Sequence, residues 1–129
     1  MSYKDKVAEN KRVAEKCINL GAYNAGINRA YYAAFLHFKD YLVRSGFDYD
    51  GFLRKRGSPD RAFSHGTIQS AVVDCMKSEG KNIVDVYKLA VFGNMYRMRR
   101  TADYESKKLL RIDLELILKD LEAILSAVA

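Results

Sequence analysis

Residues 110–128 read LRIDLELILKDLEAILSAV. Leu110, Leu114, Ile117, Leu121, Ile124 and Val128 recur in alternating steps of four and three, with Leu118 and Leu125 widening the stripe. Residues three and four apart lie on one side of a helix. A stripe of this width predicts a helix buried along one side in a bundle, rather than a lone coiled-coil seam.

Working outward, the rest of the chain has the same period. A first helix is expected from about Tyr3 to Leu20, with Val7, Ala14, Cys17 and Ile18 inward and Gly21 at a C-cap position. A second runs to about Arg44, with Asn24 as its N-cap and Ile27, Tyr31, Ala34, Phe38 and Tyr41 as its stripe. A third starts near Ser64 or Thr67 and stops at Gly80. A fourth, capped by Asn82, uses Val84, Tyr87, Val91, Met95 and Met98. Between the second and third, Gly46 to Ser64 reads as one long loop holding Pro59, the only proline, and the basic run Arg54-Lys55-Arg56 with Arg61. Strand alternation is absent. The expectation is an all-α, up-and-down bundle of about five helices forming one domain over residues 1–129.

The chain has 129 residues, 29% charged and 49% apolar, enough for one core and unlike a disordered or membrane sequence. The charged start Ser2-Tyr3-Lys4-Asp5-Lys6 lacks the apolar core of a signal peptide, so the cytoplasm is the expected location. Cys17 and Cys75 are isolated and read as buried thiols. A net charge of +6 and a pI near 9.3 favour a polyanionic partner or a solvated basic surface. The clusters are Arg54-Lys55-Arg56, Arg97/Arg99/Arg100, and Lys107-Lys108 with Arg111.

Two segments stand apart from simple bundle patterning. Asn28-Arg29-Ala30-Tyr31-Tyr32-Ala33 sets polar side chains among alanines that permit close helix approach. Arg99-Arg100-Thr101-Ala102-Asp103-Tyr104 ends the fourth helix, with Phe92, Tyr96, Arg99 and Asp103 on one face. Arg99 and Asp103 suit an ordinary i,i+4 ion pair as well as an exposed cationic site. Tyr31 reads as packing, whereas Asn28 and Tyr32 share a face directed toward the fourth helix. His37 reads as core or interface; His65 sits at the start of the third helix, as a cap or as a site group.

These segments, with the Ser64-His65-Gly66 junction and the long last helix, resemble the HEPN superfamily (higher eukaryotes and prokaryotes nucleotide-binding), in its stand-alone bacterial branch with YYA and R-x-x-A-D-Y motifs. The resemblance implies a homodimer that binds RNA and cleaves it without metal, of the kind used as a toxin in toxin–antitoxin or phage-defence modules. It also implies a minimal nucleotidyltransferase as antitoxin partner, with Tyr104 as an acceptor of AMP. Arg99 matches the family's arginine; Tyr104 stands where its nucleases carry histidine.

Metal-free RNA cleavage needs a base for the 2′-OH, an acid for the leaving 5′-oxygen and a cation for the phosphorane. Arg99 suits the cation, Asp103 the base and Tyr104 the donor, with His65 supplying help. Asn28, Arg29, Tyr32, Arg54, Lys55, Arg56, Arg97 and Arg100 are the expected RNA- or nucleotide-binding residues. No metal or cofactor is expected, since no Gly-rich phosphate loop, His/Cys metal spacing or nucleophile elbow occurs. The alternatives are a non-catalytic nucleotide- or RNA-binding module serving a nucleotidyltransferase, and a structural dimerisation bundle.

Overall fold

The computed structural model describes residues 2–57, 64–105 and 107–129. Among these residues the fold is all-α. Five long helices are α1 (Tyr3–Leu20), α2 (Tyr23–Arg44), α4 (His65–Ser78), α6 (Val91–Tyr104) and α7 (Arg111–Ala127), and two short ones are α3 (Tyr49–Arg56) and α5 (Ile83–Lys88). No helix among the described residues is long and apolar enough to cross a membrane.

Local sequence sets most of the ends. Ser2 and Asp5 form a reciprocal capping box at the start of α1, and Gly21 closes it in the left-handed region at φ 68°. Ser64 and Thr67 form the equivalent box on α4. Asn24, expected as the cap of α2, lies inside the helix, and its amide donates to the Ala102 carbonyl at 3.1 Å instead. The cap position falls on Ala22, without a side-chain bond, so an interhelical contact has claimed the asparagine.

α2 is the central helix, packing against α1, α4, α6 and α7. Its stripe residues Ile27, Tyr31, Ala34, Phe38 and Tyr41 are all buried. At Gly26 a Cβ would stand 2.7 Å from Leu114 and 2.9 Å from Cys17, so α1, α2 and α7 meet where only hydrogen fits. On α7, Leu114, Ile117, Leu121 and Ile124 are fully buried, each worth about 1.5–3 kcal/mol relative to exposure. Leu110 is exposed and precedes the helix, where its amide donates to Asp113. Cys17 and Cys75 are buried free thiols.

Two expectations are corrected. The stretch expected as one loop contains α3, because Asp48 accepts from Gly51 N–H at 3.0 Å and Phe52 and Leu53 reach the core. Pro59 and Arg61 lie outside the described residues. The fourth helix is not continuous but breaks at Leu89-Ala90 into α5 and α6. Val84 and Tyr87 are exposed rather than inward, whereas Leu89 is buried, with its carbonyl accepting from the Gln69 amide at 3.0 Å.

Candidate functional site

The end of α6 is clamped onto the first half of α2. Asn28 donates to both carboxylate oxygens of Asp103, at 3.2 and 3.0 Å, one turn along from the Asn24–Ala102 bond. Asp103 in turn stands 3.2 Å from Arg99 Nε. That N–H makes no aligned hydrogen bond and is itself buried, so the contact is an ion pair rather than a directed bond. Both side chains are about a quarter exposed, at 26%. As an i,i+4 pair in that setting it is worth about 0.3–0.5 kcal/mol.

The guanidinium of Arg99 lies 5.4 Å from the centre of the Tyr31 ring. Tyr31 is buried, stacks on Phe92 at 5.2 Å, and places its hydroxyl 3.3 Å from His65 Nδ1. His65, the first residue of α4, stacks on Tyr96 at 3.9 Å and on Phe92 at 4.7 Å. Three chain-distant segments thus meet around one tyrosine. Burial pushes the Tyr31 phenol well above its ordinary range, against the opposing pull of Arg99, so it keeps its proton. Burial also lowers the His65 imidazole, which is therefore neutral at pH 7 and able to accept a proton.

The other expected site residues are dispersed. Tyr104 is 71% exposed, its ring 5.8 Å from the Arg100 guanidinium. Arg100 also donates to the Tyr96 hydroxyl at 3.2 Å, tying the exposed rim to the aromatic stack. Arg97 bonds Asn94 and, two residues from Arg99, points to the opposite side of α6. Arg54, Lys55 and Arg56 form the exposed last turn of α3, with Arg56 4.6 Å over the Phe52 ring. Among the described residues, none of their hydrogen bonds, ion pairs or ring contacts involves the Arg99 cluster.

Tyr32 faces α1. It lines a depression of about 410 Å³ with Lys6, Asn10, Asn28, Arg29 and Leu36, on the α1 side of α2. Tyr31 holds the place expected of Tyr32. From Asn28 the two tyrosines lie at offsets of three and four, on either side of its direction, and helical period does not choose between them.

Of the four aromatic residues Tyr32, Phe35, Phe92 and Tyr96, three meet the core. Phe92 is fully buried, and Phe35 and Tyr96 pack against the core; only Tyr32 stands exposed. His37 packs inside the fold and its Nε2 meets the Val128 carbonyl, consistent with a structural role. Among the described residues, no three His, Cys, Asp or Glu side chains gather as a metal site requires.

No protein-family model matches this chain, and no curated protein matches it significantly.

Proposed function

We propose that this chain is a HEPN-type RNA-binding protein acting in the cytoplasm as a metal-independent endoribonuclease of the toxin kind, and working as a homodimer. The observation that carries the reading is the meeting of Arg99, Tyr31 and His65 in one half-buried cluster. A partly desolvated guanidinium and a neutral imidazole, each set against Tyr31, supply a cation for phosphorane charge and a base for the 2′-OH. His65 takes the 2′-OH proton as the 2′-oxygen attacks phosphorus. The bond to the 5′-oxygen breaks, leaving a 2′,3′-cyclic phosphate, and the leaving oxygen takes a proton from solvent water, assisted by the exposed Tyr104 hydroxyl. Asp103, committed to Asn28 and Arg99, is better suited to positioning Arg99 than to the base role its residue type suggests.

Cleavage of labelled RNA by purified protein tests the reading. Wild type should cut in the presence of EDTA, while Arg99→Ala and His65→Ala should cut far more slowly. Full activity in Arg99→Ala would remove the catalytic assignment.

A second reading, a non-catalytic module that binds RNA or nucleotide and serves a minimal nucleotidyltransferase, is favoured by the Arg99–Asp103 pairing within α6 and the exposure of the Tyr104 hydroxyl as an AMP acceptor. RNA binding without cleavage, together with AMP attachment lost in Tyr104→Phe, would move the weight to it.

A further inference from the structure

The depression between α1 and α2 has a composition the Arg99 cluster does not need. Its six lining residues are Lys6, Asn10, Asn28, Arg29, Tyr32 and Leu36, with no acidic side chain among them. Arg29 Nη1 donates to Asn10 Oδ1 at 3.3 Å, and the Asn10 amide donates to the Lys6 carbonyl at 2.8 Å. Both cations are exposed and, among the described residues, neither has a carboxylate within ion-pair distance. The Tyr32 ring is 46% exposed beside them.

A larger groove of about 810 Å³ between α1 and α7 makes a useful contrast. It carries Glu15, Glu115 and Glu122, and two of these already neutralise Arg111 and Lys11. An anion entering there meets three carboxylates among five cations; one entering the smaller depression meets two cations and no carboxylate among its lining residues. An open aromatic face next to unpaired cations is the pattern that receives an unpaired base and its phosphate. A duplex, whose base faces are stacked on each other, has nothing to offer the ring.

Asn28 belongs to both places. It lines the depression and holds Asp103, the carboxylate beside Arg99. The depression therefore borders the Arg99 cluster through Asn28.

We propose that this depression is a subsite for one unpaired nucleotide of single-stranded RNA, with the base stacked on Tyr32 and the phosphate held by Lys6 and Arg29. The proposal rests on the RNA-binding reading above and adds where the strand runs and that it must be single.

The test uses the full chain and a short single-stranded oligoribonucleotide, 2′-O-methylated against cleavage, carrying 2-aminopurine at successive positions. Anisotropy reads affinity, and 2-aminopurine fluorescence reads stacking. Tyr32→Phe should keep both the affinity and a position-specific fluorescence change. Tyr32→Leu should lose that change and bind about fivefold or more weakly, the scale of one base–aromatic contact. Arg29→Gln should weaken binding and reduce the salt slope by about 0.7, the single-strand value for one phosphate. A duplex of the same sequence should show no Tyr32 dependence. Circular dichroism checks that each variant keeps the wild-type helix content. Tight binding by wild type that Tyr32→Leu leaves unchanged would overturn the subsite alone, with the RNA reading intact. Absence of single-strand binding at low salt would overturn both.

Discussion

The ends of α6 and α3 invite comparison, because each carries three cations in a short stretch. Arg97, Arg99 and Arg100 lie near the end of one helix, and Arg54, Lys55 and Arg56 close the other. On α3 the three side chains project into solvent, where they complement the negative helix terminus and Arg56 covers Phe52. On α6 only Arg97 and Arg100 are outward. Arg99 is turned inward, against Asp103 and the Tyr31 ring, with an imidazole bound to that same tyrosine. Equal charge density produces a solvated patch in one place and a chemically structured cluster in the other. Neighbours contributed by other helices make the difference.

The sharpest way to break the comparison is to remove what holds the α6 cluster together. Phe92 is fully buried under Tyr31, His65 and Phe38. Phe92→Ala should cost about 3–5 kcal/mol in chemical denaturation, whereas replacing all three α3 cations with Gln should leave stability nearly unchanged. Next in size, Arg99→Ala should slow RNA cleavage by about a hundredfold or more, the scale of one transition-state electrostatic group. The α3 triple variant should leave the rate at saturating RNA intact. Its effect should appear in binding instead, as a reduction of the salt slope by about two, from three single-strand phosphate contacts at roughly 0.7 each.

A pH profile sharpens the contrast further. His65 and His37 both have imidazoles lowered by burial. Between the folded pKa and the ordinary value near 6.5, the unfolded chain binds the extra protons. The associated stability is thus full above about pH 6.5 and falls as pH drops below it. Denaturant midpoints should decline from pH 7 to pH 5, and His65→Gln should flatten part of that decline. α3 holds no histidine. The smallest effect should come from Tyr104→Phe, which removes one exposed hydroxyl and keeps the ring beside Arg100. Its cleavage rate should fall less than that of Arg99→Ala, measured on the same RNA.

Much of the architecture was legible because it rests on short-range rules. The boundaries of α1, the Ser64 start of α4 and the buried side of α7 follow from caps and a helical period. The sharing of a face by Arg99 and Asp103 follows from an offset of four. Where the reading failed, a distant contact overrode a local preference. Asn24 left its capping role for a carbonyl on α6, α3 formed once Phe52 and Leu53 had a core to enter, and the chain turned at Leu89 to bury it beside α4.

The sequence by itself determined that the chain is helical, which stripes are apolar, and that a cation and a carboxylate stand one turn apart near the end of α6. These depend on residues a few positions from one another, where backbone geometry leaves little choice. Only the tertiary structure decided that Tyr31 rather than Tyr32 meets Arg99, that His65 stacks into the same cluster, and that Asn28 reaches Asp103 across 75 positions of chain. Those choices follow from how α2, α4 and α6 pack. Rotating a helix by a fraction of a turn exchanges one adjacent tyrosine for the other, and interhelical packing fixes that rotation.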